Sequence, residues 1–133
     1  MTRFHLEIAT PDGIAFDGEV ESLLVRTDDG DVEILAGHAD FFASLSTGRS
    51  RLLTVDGARF ASVSGGFISV SAGEVKVCAI TFEFSDKIDL DRAEAAKERA
   101  EAAISAAKDE KSIRIAKAKL ARALNRINVA GIK

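Results

Sequence analysis

Ile88-Asp89-Leu90-Asp91-Arg92-Ala93-Glu94-Ala95-Ala96-Lys97-Glu98-Arg99, the run IDLDRAEAAKER, decides how the chain divides. Alanine, glutamate, lysine and arginine fill it, and all four favour helix. Almost everything before it reads as strands and turns. Arg3–Thr10, RFHLEIAT, alternates strictly, with Phe4, Leu6 and Ile8 on one face and His5 and Glu7 on the other. That is the period of a half-buried strand. PDG at 11–13 supplies a turn, since proline presets φ and glycine tolerates a positive one. Further strands are expected at Ile14–Asp17, Glu19–Thr27, Val32–Leu35, Phe41–Leu45, Arg51–Val55, Arg59–Val63, Phe67–Ser71 and Val75–Ile80. DDGD, AGHAD, STG, DG, SGG and AGE punctuate them. Many short strands with no helical pattern between them argue for an antiparallel sandwich or barrel.

After Phe84 the period changes. Leu90, Ala93, Ala96, Ala100, Ala103, Ile104 and Ala107 recur at steps of three and four, as do Ile113, Ala116, Leu120, Leu124 and Ile127. Two amphipathic helices follow, at roughly 88–108 and 112–128. Asp86 or Asp89 can cap the first and Ser112 the second. The fold class is therefore α+β, with a sandwich at 1–84 and an antiparallel two-helix hairpin at 85–133. The apolar stripes are narrow and rich in alanine, so the hairpin buries little area at about 25 cal/mol per Å² and is easy to rearrange. The connection KDEKS contains no glycine or proline, so it can turn or straighten.

The chain has 133 residues and 47 % hydrophobic content, which suits one domain or one domain with an appendage. No segment approaches the length of a membrane span, and no secretory pattern opens the chain. Cys78 is the only cysteine, so no internal disulfide forms, in keeping with a reducing cytoplasm. The net charge of −3 hides an asymmetry. Residues 1–84 carry 13 acidic and 6 basic side chains, whereas residues 85–133 carry 8 acidic and 12 basic. Such an imbalance suits two parts that face different partners, or simply a solvated basic helix face.

Arg92 and Arg99 share a face of the first helix, and Arg122 and Arg126 share one on the second. Folding back through residues 109–111 brings Arg99 level with Arg122 and Arg92 near Arg126. Four converging guanidiniums suit phosphate oxygens, and Asp89 and Glu83 stand near the same end. From spacing alone, ordinary surface charge pairing is the simpler account. No phosphate-binding glycine loop, no dinucleotide fingerprint and no paired His/Cys metal spacing is present. His5 and His38 are isolated in sequence. Ser64-Gly65-Gly66 reads as a bend or bulge where backbones approach closely, and Cys78 as a small packing residue. No constellation supports catalysis.

GHA at Gly37–Ala39, VSGGFISV at Val63–Val70, IDLDRAEAAKERAE from Ile88 and KLARALNRINV at Lys119–Val129 occur in an order that resembles the epsilon subunit of bacterial F-type ATP synthase. The resemblance spans essentially the whole chain. It implies a sandwich of about ten strands followed by a helical hairpin, with no catalytic residue. It implies that the sandwich joins the gamma subunit and the c-subunit ring of the proton- or sodium-translocating complex, with Asp31 and His38 at that interface. The chain would then lie on the cytoplasmic face of the bacterial plasma membrane, peripheral to it. The helices would inhibit ATP hydrolysis when extended into the alpha/beta catalytic head and permit it when compact. A straightened run of roughly 40 residues would reach about 60 Å. In some such subunits ATP holds the compact form through an I-D-x-x-R-A motif, met here by Ile88, Asp89, Arg92 and Ala93. The remaining ATP contacts fall on Glu83, Arg99, Arg122 and Arg126; a need for Mg²⁺ is not implied. The chain departs from the family pattern at Glu33, Ala36 and Asp40, where glycine and two prolines are usual, and at Ile80 and Phe82.

Overall fold

The computed structural model describes residues 2–132, which divide into two compact units meeting between Phe84 and Ser85. The first contains β1 (Phe4–Thr10), β2 (Gly13–Val20), β3 (Ser22–Thr27), β4 (Gly30–Leu35), β5 (Phe41–Ser44), β6 (Gly48–Thr54), β7 (Gly57–Ser71) and β8 (Glu74–Phe84). The second contains a short 3₁₀ turn at Ser85–Lys87, then α1 (Leu90–Ala106) and α2 (Glu110–Ala130).

Eight continuous strands build the sandwich, where about ten were expected, because β7 and β8 each serve both layers. The first layer joins β2, β1, the Val75–Cys78 part of β8, the Phe67–Val70 part of β7, and β5. The second joins β4, β3, β6, the Gly57–Val63 part of β7, and the end of β8. Across the interior, Ile8 and Val77 of the first layer face Leu23, Val25 and Phe82 of the second. Leu6, Ile8, Leu23, Ile34, Leu52 and Ile68 are fully buried there.

The long strands pass between layers at Gly65-Gly66. The ladder from Ala61↔Phe84 to Ser71↔Glu74 keeps one register, so there is no inserted residue and no bulge. Both glycines instead hold positive φ, +66° and +105°. The core-facing set changes parity across them, from Ile68 and Val70 to Val63 on β7, and from Val75 and Val77 to Phe82 and Phe84 on β8. A glycine kink turns a sheet corner in this way. At Gly66 the approach is also too close for a side chain, since a Cβ would lie 2.0 Å from the Cys78 carbonyl oxygen. Ile80, one of the departures from the family pattern, covers Gly65. Phe82, another, packs edge-on against Phe84 at 5.0 Å. The expected single strand Glu19–Thr27 is broken at Glu21, whose N–H donates to the Leu53 carbonyl at 2.7 Å, and the chain changes layer there.

In the second unit, the side chain of Asp89 caps α1 by accepting the Arg92 N–H. Asp109 caps α2, not Ser112; the Ser112 N–H and hydroxyl both donate to it, at 2.7 and 3.1 Å. These bonds hold the Asp109 carboxyl below the usual carboxylate range. The connection is consequently Ala107–Asp109, earlier than expected, with Ala107 and Asp109 both extended. So short a link makes the helices antiparallel neighbours. Their buried residues are Ala93 and Ala100 on α1, and Ala116, Ala123 and Val129 on α2.

Candidate functional site

The helical unit gathers the arginines. Ala100 and Ala116 each stand eight residues from Lys108, and Ala93 and Ala123 each stand fifteen, so these buried alanines meet as level pairs along the seam. A residue turns about 100° about the helix axis. Positions one before the seam on two antiparallel helices therefore lie on the same flank. Arg92, Arg99 and Arg122 are all such positions, and Arg126, three residues beyond Ala123, turns to nearly the same direction. The four arginines thus share one flank of the hairpin.

Their heights differ from expectation, because the connection lies earlier than 109–111. Arg92 falls midway between Arg122 and Arg126, about 3 Å from the level of each. Arg99 sits about 7.5 Å nearer the connection than Arg122 and is not level with it. Arg92 and Arg99 are exposed, and Arg122 and Arg126 are half-buried. Among the described residues Arg92, Arg99 and Arg122 make no ion pair. Long side chains on one flank at these heights can close around a polyphosphate, so the residues present fit such a ligand. Two residues of the motif also have structural tasks: Asp89 is the α1 cap, and Ala93 is 3 % exposed in the seam. Ile88 is half-buried just before α1. Glu83 belongs to the other unit, half-buried on β8 opposite Ser62.

In the sandwich, Asp31 and His38 lie toward opposite ends of β4. Asp31 is exposed and accepts from the Arg26 Nε at 2.9 Å and its terminal nitrogen at 3.3 Å. The guanidinium holds its carboxyl below the usual range, and the carboxylate raises the pKa of Arg26. His38 is half-buried in the loop after β4, with Nδ1 2.7 Å from the Ala39 carbonyl and its ring edge-on to Phe41 at 5.7 Å. In the same loop Asp40, where proline is usual, accepts the Ala72 N–H at 3.1 Å. Glu33, where glycine is usual, reaches Arg51 at 3.6 Å.

Two features escaped the sequence reading. The outer face of the first layer carries a row in register, Ile14–Ala9–Cys78–Phe67, with Phe42 stacked on Phe67 at 5.3 Å. Phe42 is 68 % exposed, Ile80 64 % and Ile14 59 %, so this is an apolar surface open to solvent. The second is His5, isolated in sequence, which sits between Asp17 and Glu74. Among the described residues no group of three or more His, Cys, Asp or Glu is placed to hold a metal ion. No helix of the described residues is long and apolar enough to cross a membrane.

Two family models cover the chain, and their boundary agrees with that between the units. Residues 3–85 match the ATP synthase delta/epsilon chain beta-sandwich domain, and residues 86–131 match the delta/epsilon chain long alpha-helix domain. A Bacillus pumilus ATP synthase epsilon chain is 42 % identical over 131 residues, covering 98 % of this chain and 99 % of its own. The Bacillus subtilis epsilon chain is 40 % identical with the same coverage, and that of Ruminococcus albus 38 % identical over the full length of both. In fold, the chain resembles one in the Euglena gracilis mitochondrial ATP synthase OSCP/F1/c-ring structure, with TM-score 0.82, 23 % identity, and 98 % and 82 % coverage. It also resembles one in the Tetrahymena thermophila mitochondrial central stalk/c-ring structure, with TM-score 0.69, 14 % identity and 97 % of each covered.

Proposed function

This chain belongs to the ATP synthase delta/epsilon chain family, and from that premise we propose that it is a non-catalytic epsilon subunit of the central stalk whose helical unit regulates ATP hydrolysis and senses ATP. The observation that carries the reading is the hairpin itself: a seam of level alanine pairs with four arginines on one flank. Alanine pairs bury little area, so the hairpin opens at low cost, and a polyanion on the arginine flank favours the closed form. ATP shifts the balance by the difference between its affinities for the two forms. Arg92, Arg122 and Arg126 would hold the phosphates and Arg99 the side nearer the connection, with Ile88, Asp89 and Ala93 the remaining candidates of this unit for the nucleotide. Opened, the helices would present to the alpha/beta head an α2 that, from Ser112 on, holds no acid and so suits an acidic surface.

The sandwich is the part that joins the rotor. Its apolar row, Ile14, Phe42, Phe67 and Ile80, suits the gamma subunit, and the end carrying His38 suits the c ring, with Asp31 a further contact. On this reading the chain would lie at the cytoplasmic face of the bacterial plasma membrane, held there through the complex.

The test is ATP hydrolysis by a head–gamma complex supplied with the full chain. In a Cys78→Ser background, a disulfide between Ala100→Cys and Ala116→Cys would lock the hairpin. The chain with those thiols reduced should slow hydrolysis, and the locked chain should not. Equal inhibition by both forms would refute regulation by opening.

A further inference from the structure

We propose that His5 is a proton-operated staple: as imidazolium it ties β2 and the first residue of β8 to the strand between them, and loss of its proton releases one of those two ties. The geometry carries this. His5 Nδ1 lies 2.7 Å from a Glu74 carboxylate oxygen, and Nε2 lies 2.5 Å from one of Asp17. A neutral imidazole has one N–H and one lone pair, whereas an ionised carboxylate only accepts. Only the cationic ring can donate to both.

The position gives the bonds their effect. The parallel ladder between β1 and β8 begins at Leu6↔Val75, so no backbone pairing ties β8 to His5 or Phe4. The imidazolium extends the seam by one residue through side chains. On its other side it reaches diagonally to Asp17, two residues inside its own ladder partner Glu19, and so ties β1 to the middle of β2.

The surroundings favour the cation. The same sheet face carries Arg3 and Glu7 on β1, Asp17 and Glu19 on β2, and Glu74 and Lys76 on β8. Four carboxylates stand there against two permanent cations. The hydrogen bond to Asp17, then that to Glu74, raises the His5 pKa to about 9. An unfolded histidine titrates near 6.5. A raised folded value means the contribution is complete below about 6.5, declines above it, and is gone once the pH passes about 9. With the proton lost, one ring lone pair faces a carboxylate and that arm of the staple opens.

The experiment uses the full chain with ¹⁵N-labelled histidine, His5 being assigned by its disappearance in His5→Gln. Both ring nitrogens of His5 should be protonated at neutral pH, with a midpoint close to 9. Asp17→Asn and Glu74→Gln should each move that midpoint down. The melting temperature of the wild type should exceed that of His5→Gln by most at mildly acidic pH, and the gap should close above the midpoint. A wild-type midpoint near 6.5 with one nitrogen bare at neutral pH, or a melting gap independent of pH, would overturn the proposal.

Discussion

Ala100 and Ala116 are level across the helix seam, each eight residues from Lys108 and each 3 % exposed. Close approach of the helices depends on that pairing. Ala116→Leu should overpack the seam at a cost of about 1–3 kcal/mol to the closed hairpin. Amide exchange should accelerate through α1 and α2 while the sandwich is unchanged. Leu120→Ala, at a half-buried position beside the seam, should have a smaller effect.

Gly66 and Gly57 both hold positive φ, but only Gly66 lacks room for a side chain. Gly57→Ala meets nothing within 4 Å and should cost about 1–2 kcal/mol from backbone strain alone. Gly66→Ala should cost about 3 kcal/mol or more, since the strain adds to a collision with the Cys78 carbonyl. Urea unfolding of the two variants provides the comparison.

The Arg26–Asp31 pair is bidentate, yet its side chains are 53 % and 46 % exposed. Solvent screening should keep its contribution below about 1 kcal/mol. The Asp31 pKa is depressed on folding, so that contribution is present above the ordinary carboxylate range and lost as the pH falls through the folded value. Urea midpoints of Asp31→Asn and wild type should differ slightly at neutral pH and converge in acid. A ring contact through Asp31 must use a carboxylate already occupied by Arg26.

If the apolar row is the gamma surface, Phe67→Asp should weaken binding to a purified gamma subunit by at least tenfold while the fold survives, since Phe67 is 38 % exposed on the outer face. Titration calorimetry reads the affinity, and circular dichroism checks the fold.

The strands were legible where one face is buried, because a period of two then shows in the sequence, as in β1. The count misled because Gly65 and Gly66 look like a break between two strands. They are a kink inside one, and only the ladder across to β8 reveals it. At the second helix Ser112 looked like the cap, but Asp109 accepts from it and moves the helix start. That shift of the connection also moved Arg99 out of level with Arg122. The arginines themselves were legible because seven- and four-residue spacings place them on shared faces. The His5 staple was not, since its Glu74 partner is 69 residues away and only the parallel pairing of β1 with β8 brings them together.

Calorimetric titration of the full chain with ATP and with ADP, repeated on Arg92→Ala and Arg122→Ala, tests the central claim most directly. The account predicts saturable one-to-one binding of ATP, weakened at least tenfold in both variants because both guanidiniums lie on the same flank within about 3 Å of the same height. Absence of ATP binding up to millimolar concentration, or binding unchanged in both variants, would contradict it and return the four arginines to surface charge.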